Sequence, residues 1–275
     1  MRNRVQHIKS IFCCVLVLIA LGSDVAYAKE EAKKIQDNSF LIEEAYNQEP
    51  GMIQHIQTFQ YLKRSRTWGY VFTQEWPVPD QTHQLSYTIP VTHVSAPSHD
   101  TGIGDVALNY RYQLILKDPI ALAPRFSLLL PTGDYKKALG SGSIGFQANL
   151  PMSVDLSERW VTHLNLGFTF TPSSREVGGA SADTLGFNCG ASLIWLASEH
   201  LNLMLELSWN STESVQSYGS KTRTDAFLAV PGVRFALNFE SGLQVVPGIG
   251  ILVGLGPSGG EIGVLSYLSF EHPLF

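Results

Sequence analysis

Two arginines could together bind an anion. Arg111 and Arg125 stand at polar positions of two segments joined by a short turn, and each guanidinium group is a planar fork of N–H donors that fits a carboxylate. If the turn pairs the segments with Arg111 opposite Arg125, two unpaired forks would attract an anion such as the carboxylate of an aromatic acid. The alternative is a structural ladder in which Asp105, Asp155 or Glu206 already neutralises them, because buried charges are usually paired.

The segment that carries Arg111 alternates between apolar and polar residues. Its two rows are Val106, Leu108, Tyr110, Tyr112, Leu114 and Leu116 against Asp105, Ala107, Asn109, Arg111 and Gln113. A period of two is typical of a β-strand. Twelve segments share it, starting near Met52, Thr67, His83, Gly102, Ile120, Ser143, Trp160, Thr184, Leu201, Asp225, Leu243 and Glu261. Helical periodicity is absent from all of them, so the sequence predicts an all-β fold.

The connections between these segments alternate in length. Short turns fall at residues 117–119, 157–159, 198–200 and 239–241, and mostly long connections rich in Gly, Ser and charge fall at residues 95–101, 131–142, 171–183 and 211–224. An even strand count with short turns on one side and long loops on the other is typical of a transmembrane antiparallel β-barrel in the outer membrane of a Gram-negative bacterium. The apolar rows then face lipid, and the polar rows face the lumen.

A barrel of about twelve strands has a lumen between those of the filled eight-stranded barrels and the open sixteen-stranded porins. We therefore expect a narrow or partly plugged pore. The candidate ligand-binding or lumen-lining residues are Asp105, Asn109, Arg111, Arg125, Glu206 and Arg234, and the polar rows also hold Gln147, Asn149, His163, Asn165 and Asn188.

Five prolines fall within the predicted strands, namely Pro90, Pro124, Pro151, Pro231 and Pro247. Each removes a ladder hydrogen bond that lipid cannot replace. We expect these prolines at bulges or at strand ends near the membrane interface.

The N-terminus predicts a secretory signal peptide over residues 1–28. Three basic residues precede an apolar run at residues 11–21, and small residues at both positions of an A-x-A motif end at Ala28. Cleavage there leaves Cys189 as the one cysteine of the mature chain, so no intramolecular disulfide can form. It also leaves 16 basic and 23 acidic residues, and hence no basic surplus for nucleic acid.

Residues 29–51 precede the predicted barrel, which spans residues 52–275. This segment is acidic at first and then mixed, and Phe40, Leu41 and Ile42 are too apolar for a pure linker. It could fold into the lumen as a plug, pack at the periplasmic mouth, or form a short periplasmic helix or mobile tail. The sequence does not choose among these arrangements.

Half of the mature basic residues fall on predicted outer loops, where they could meet the phosphates of outer-membrane lipid and lipopolysaccharide. They are Lys63, Arg64, Arg66, Lys136, Lys137, Arg175, Lys221 and Arg223. Nearly half of the mature acidic residues lie instead in the predicted periplasmic turns and in residues 29–51. This distribution agrees with the barrel topology.

The sequence predicts no catalytic, cofactor or metal site. His163 and Asn165 share one face of a strand, but no serine stands in a recognisable nucleophile setting beside them. His99, Asp100 and Asp105 are spaced too loosely for a metal site or an acid protease. We therefore expect that the protein is not an enzyme.

Three blocks of the sequence carry a resemblance to a known family. GIGDVALNYRYQLI at residues 102–115, LAPRFSLLLPTGD at 122–134 and GFQANLPMSVDL at 145–156 resemble the outer-membrane transporter family named for the meta-pathway of phenol degradation. The likeness covers most of residues 52–275, and it implies a barrel that passes small hydrophobic or aromatic molecules. Two alternatives stay open: a non-transporting barrel whose outer loops bind a partner or surface ligand, and a membrane-embedded hydrolase.

Overall fold

The computed structural model describes Ile35, residues 38–96 and residues 99–274, and the predicted signal peptide lies outside this part of the chain. All of the described residues belong to one compact unit, Ala32–Phe275. Within them, sixteen β-strands form a single antiparallel sheet. The strands are β1 (Met52–Leu62), β2 (Thr67–Pro77), β3 (His83–His93), β4 (Thr101–Ile103), β5 (Val106–Tyr112), β6 (Ile115–Lys117), β7 (Ile120–Leu122), β8 (Arg125–Leu130), β9 (Gly145–Ser157), β10 (Trp160–Arg175), β11 (Ser181–Ser198), β12 (Leu201–Val215), β13 (Lys221–Phe235), β14 (Leu237–Asn238), β15 (Gln244–Gly254) and β16 (Ile262–Pro273), with short 3-10 helices at Tyr135–Lys137, Ser217–Gly219 and Gly256–Ser258.

The sheet closes on itself. β16 pairs with β1 along its length, from Met52 opposite Pro273 to Leu62 opposite Gly263. β4, β5 and β6 follow one another along a single barrel strand, as do β7 with β8 and β13 with β14, so the barrel has twelve strands. The predicted fold and strand number are confirmed. Closure pairs the two end strands of the sheet, which the lipid environment requires because it offers no hydrogen bonds to a free edge.

The two rows of each strand face opposite sides of the barrel. Leu108 and Leu114 are exposed by 46% and 55%, whereas Asn109 and Arg111 are exposed by 6% and 3%. The same alternation recurs along β10 and β12. The apolar row therefore faces lipid, as predicted, and the protein is an outer-membrane β-barrel. Among the described residues, no helix is both long enough and apolar enough to cross a membrane.

The five prolines lie where the ladder to one neighbouring strand is interrupted. Pro124 separates β7 from β8, and Pro151 on β9 faces the same interruption. Pro90 faces the break between β4 and β5, and Pro231 and Pro247 fall at gaps in the ladder that joins β13 and β14 to β15. A missing N–H costs little where no ladder bond is made, which explains why the barrel tolerates these prolines.

Two predicted outer loops are largely strand. The sequence predicts loops at residues 171–183 and 211–224, but β10 and β12 end, and β11 and β13 begin, well inside them. The prediction was wrong because these strand ends extend beyond the lipid-facing band, where water wets both faces and the apolar alternation is lost. Ion pairs support the extension, with Glu213 lying 2.8 Å from Nζ of Lys221 and 3.1 Å from Nη2 of Arg223.

Candidate functional site

An irregular stretch of the chain lies inside the barrel. We call Ile35 and residues 38–50 the lumen segment, and none of these residues belongs to a helix or a strand. Most of its side chains are buried, Ala45 completely. Its hydrogen-bond partners include Gln84 on β3 and Glu206 on β12, which lie on different sides of the barrel. The lumen segment therefore crosses the interior.

Wall side chains accept hydrogen bonds from backbone N–H groups of the lumen segment. Among the described residues, six such bonds run from Phe40 to Glu206 Oε1 (2.5 Å), Leu41 to Glu206 Oε2 (2.8 Å), Glu43 to Asn165 Oδ1 (2.9 Å), Ala45 to Ser153 Oγ (2.8 Å), Asn47 to Gln113 Oε1 (2.8 Å) and Gln48 to Gln84 Oε1 (2.7 Å). Because the segment pairs with no neighbouring strand, these side chains satisfy amides that would otherwise be buried without a partner.

Wall side chains also donate to backbone carbonyl groups of the same segment. In the described chain, Arg234 donates to Ile35 and Asn38, Asn165 to Glu43, Arg111 to Glu44 and Tyr46, Gln113 to Ala45, and Gln81 to Asn47. Seven carbonyl groups are bound in this way. The wall therefore holds the main chain of the lumen segment along nearly its whole length.

The two arginines of the sequence prediction lie side by side and both bind the lumen segment. The register of β5 and β8 places Arg111 directly opposite Arg125. Arg125 donates from Nε and Nη2 to the two oxygens of Glu43, at 2.9 Å and 2.6 Å. Arg111 donates from Nε to the side chain of Asn47 at 2.8 Å, and its Nη2 lies 3.9 Å from the carboxylate of Glu75. Both guanidinium groups are thus engaged within the protein.

Glu206 and Arg234 hold the other end of the lumen segment. Glu206 is completely buried, and its two oxygens accept the consecutive N–H groups of Phe40 and Leu41. Arg234 is buried as well, and its Nη1 donates to the carbonyl of Asn38 at 2.7 Å. A buried charge is tolerated when it has such partners, so this pair of side chains both anchors the segment and depends on it.

The ring of Phe40 packs on a bare patch of the wall formed by three glycines. A Cβ atom at Gly232 would clash with the ring, and one at Gly248 or Gly250 would lie 2.7 Å or 3.0 Å from it. Tyr267 closes the site, with its ring centroid 5.9 Å from that of Phe40. The glycines of β13 and β15 therefore make room for an aromatic side chain of the lumen segment.

Ala45 is completely buried against the wall. It forms a small apolar cluster with Ala121 and Ala123, and its N–H donates to Ser153. The hydroxyl oxygen of Ser153 lies 2.8 Å from Nδ1 of His163. This serine–histidine pair is buried in the wall behind the lumen segment, so a substrate has no access to it while the segment is in place. The described residues contain no cluster of three or more potential metal ligands.

The pairing of Glu43 with Arg125 predicts how the lumen segment responds to acid. Burial acts to raise the pKa of Glu43, but Arg125 and, more weakly, Arg111 outweigh it and hold the pKa below its usual value of 4.5. A lowered pKa means that the ion pair stabilises the segment above pH 4.5 and is lost as the pH falls through the lowered value. We expect solute flux into liposomes that carry the protein to be constant from pH 8 to pH 5. The flux should rise in stronger acid, because the ion pair that holds the segment is lost.

The matched control for this prediction is Glu43→Gln, which removes the titrating group. Its flux at neutral pH should exceed that of the unaltered protein, and the acid-dependent rise should largely disappear. An equal rise in both proteins would mean that another group is responsible.

The interior is open on the outer side of the lumen segment. Three cavities of about 330, 300 and 280 Å³ share Leu41 among their lining residues, and together we call them the vestibule. Phe40, Leu41 and Ile42 of the lumen segment line its inner end. Its walls carry hydroxyl and amide side chains, namely Thr58, Gln60, Thr73, Ser86, Thr88, Asn109, Gln147, Asn149, Asn165, Thr169, Asn188, Ser208, Asn210 and Thr212.

The structure separates one of the six candidate residues from the others. Asn109, Arg111, Arg125, Glu206 and Arg234 lie in the interior. Asp105 lies instead at the outer end of β5, where it accepts hydrogen bonds from the backbone N–H groups of Gly133 (3.0 Å) and Ser141 (2.7 Å). It therefore folds the outer loop between β8 and β9.

The carboxylate that pairs with Arg125 comes from outside the predicted strands. The sequence suggested Asp105, Asp155 or Glu206 as neutralising residues, whereas in the structure Glu43 fills this role. Sequence reasoning also missed the wall residues that bind the segment backbone, among them Gln84, Gln113 and Ser153. The one available signal was the apolar run 40–42 in a stretch that otherwise reads as a linker.

Comparisons with known proteins agree with this architecture. A solved outer-membrane channel, the COG4313 channel from Pseudomonas putida F1, is 15% identical to the chain over 83% of this chain and 97% of that one, with a TM-score of 0.61. The NanC porin is 10% identical over 78% of this chain and 98% of that one, with a TM-score of 0.54. No curated protein matches the chain.

At these identities, the similarity to the solved structures extends to the fold. The family assignment rests on a separate comparison, in which the model of the family described as "Putative MetA-pathway of phenol degradation" matches residues 57–250, more than two thirds of the sequence. The chain belongs to this family.

Proposed function

We propose that the protein is an outer-membrane channel for small molecules with an aromatic or otherwise apolar body, closed at rest by the lumen segment. The observation that carries this proposal is the vestibule. Its largest cavity, about 330 Å³, lies in the size range of small-molecule sites and combines an apolar surface with hydroxyl and amide groups.

The lining of this cavity suits a small amphiphilic solute. Phe40, Ile56, Val71, Leu129 and Tyr267 offer apolar contact for a ring or a short chain. Hydroxyl and amide groups on the same wall can bind one or two polar substituents. Such a lining favours a phenol-like molecule over a sugar. A sugar makes little contact with the apolar side chains, and it has more hydroxyl groups that need hydrogen-bond partners.

The charges in the cavity favour neutral solutes. Arg125 pairs with Glu43, and Glu75 accepts a hydrogen bond from Gln84 at 2.8 Å. An anionic solute therefore competes with Glu43 for Arg125. Passage of an aromatic carboxylate consequently requires that the lumen segment first release Arg125.

Passage across the barrel also requires that the lumen segment move. Its residues 42, 44, 45, 47 and 48 are buried against the wall, so the periplasmic part of the lumen is filled. The segment has no strand pairing and is held by side chains, which makes its displacement compatible with an intact barrel.

The test is solute flux into liposomes that carry the purified, folded mature protein. We expect the protein-dependent entry of phenol or toluene, measured over the entry into liposomes without protein, to be several-fold faster than that of a neutral sugar, with an aromatic carboxylate between them. Val71→Thr changes the vestibule wall with little change of shape, and it should lower aromatic flux and leave sugar flux unchanged. Val264→Thr, on the lipid-facing side, is the matched control.

Two results would count against the channel. If no solute enters although the protein keeps the heat-dependent gel shift of a folded barrel, the lumen does not conduct, and a role for the outer loops in binding a partner becomes the better explanation. If sugar and aromatic solutes enter equally fast, the protein is an unselective pore.

A further inference from the structure

The lumen wall binds the lumen segment chiefly through its backbone. Within the described part of the chain, six N–H and seven C=O groups of the segment are bound by wall side chains. Every peptide chain carries these groups, whatever its side chains. A wall that satisfies them along a defined path is therefore a binding site for peptide main chain.

Besides Phe40, which packs on the glycine patch, and Gln48, whose Nε2 donates to Gln54, three side chains of the segment have defined positions. Glu43 pairs with Arg125, and Ala45 is completely buried in a cluster with Ala121 and Ala123. Asn47 accepts from Arg111 and donates to the backbone carbonyls of residues 81 and 82. These three residues stand at every second position of the chain. The site thus selects an acidic residue, a small residue and an amide at alternate positions.

Both ends of the lumen segment lie at the periplasmic side. Glu49 and Pro50 are exposed and lead directly into β1. Ile35, at the other end, packs near Val161 at the start of β10 and Leu196 near the end of β11, which are periplasmic strand ends. The segment therefore enters and leaves the barrel on the same side. A peptide that took its place would have to come from the periplasm.

We propose that the inner wall is a peptide-binding site whose resident ligand is the lumen segment, and that it accepts in trans a periplasmic peptide with the spacing Glu-x-Ala-x-Asn. The segment behaves as an exchangeable ligand tethered to the barrel. This inference goes beyond the channel, because it requires binding and exchange of a peptide and no passage of solute.

The experiment uses the full chain, folded and then cut. A protease site inserted between the exposed residues Glu49 and Pro50 allows the segment to be released after folding. The cut segment should stay bound through purification and leave slowly. A fluorescent peptide of residues 35–49, followed by anisotropy, should then bind the emptied barrel saturably.

Backbone N-methylation separates backbone recognition from side-chain recognition. A peptide methylated at the nitrogens of Ala45 and Asn47 loses two N–H donors that bind Ser153 and Gln113, and it should bind at least about tenfold more weakly. A peptide methylated at Tyr46, whose N–H donates to no wall side chain in the described chain, should bind within about threefold of the unmethylated one. An Ala45→Leu peptide should fail to bind.

Release of the cut segment provides a second measurement that needs no emptied barrel. Gln113→Leu removes an acceptor and a donor for the segment backbone and should speed release about tenfold or more. Gln57→Leu, at a glutamine that accepts a hydrogen bond from Tyr70 on the neighbouring strand and, among the described residues, not from the segment, is the matched control. The proposal is overturned if the cut segment leaves at once and the labelled peptide does not bind, or if the two methylated peptides bind equally. Neither outcome depends on solute flux, so the channel and the peptide site can fail separately.

Discussion

Phe40→Ala is expected to open the lumen and to raise the entry of a small neutral sugar into liposomes about 100-fold. The ring is 5% exposed and lies on the glycine patch of β13 and β15, so its removal leaves a cavity that the flat wall cannot fill. Truncation of a buried phenylalanine costs about 3 to 5 kcal/mol, and about 3 kcal/mol corresponds to a 100-fold larger population of the released segment. Flux and protease sensitivity of residues 38–50 report the release.

Two controls separate the docking of Phe40 from general loss of hydrophobicity. Phe40→Leu keeps most of the apolar volume and should raise flux far less. Phe126→Ala removes an outward-facing ring, 51% exposed, and should leave both flux and protease sensitivity unchanged. If Phe40→Ala leaves the segment as protected as before, the ring does not hold it in place, and the glycines serve another purpose.

Arg111→Met is the second substitution with a large expected effect, an increase in flux of roughly 100-fold. Arg111 donates to the carbonyl groups of Glu44 and Tyr46 and to the side chain of Asn47, and methionine replaces none of these bonds. Hydrogen bonds to a charged group contribute about 1.5 to 3 kcal/mol each and are not additive, so a loss of about 3 kcal/mol is expected. Liposome flux and hydrogen exchange of residues 44–47 measure it.

The control for this prediction is Arg111→Lys. Lysine keeps the positive charge near Glu75 but cannot form the planar fork that spans three acceptors, so its effect should be intermediate. Equal flux for the lysine and methionine variants would show that the fork matters and the charge does not. A methionine variant as closed as the unaltered protein would show that Arg111 does not hold the segment.

Most of the barrel could be predicted because its signal is local. Each strand is recognised by the alternation of apolar and polar residues over about ten positions, as in the stretch from Val106 to Leu116. The apolar row identifies the face of the strand that meets lipid. The positions of short turns and of prolines depend on the same local geometry. The outer ends of β10 to β13 were not predicted, because water on both faces of these strand ends removes the apolar–polar alternation.

The candidate site was predicted only in part. The polar rows of the alternating strands identified Asn109, Arg111, Arg125, Glu206 and Arg234, and all five lie in the interior. What they bind could not be predicted. The residues of the lumen segment have no period, so nothing in their order indicates which wall residue each one meets.

The sequence by itself determined the class of the protein: a closed twelve-stranded barrel with an apolar outside, a polar inside and a distinct stretch of chain before it. Only the tertiary structure decided that this stretch lies in the lumen and that Glu43 pairs with Arg125, 82 positions away. The physical reason is the separation along the sequence of the residues that interact. Strand periodicity is a property of neighbouring residues, whereas the contacts of the lumen segment join distant parts of the chain and exist only after the barrel has closed around it.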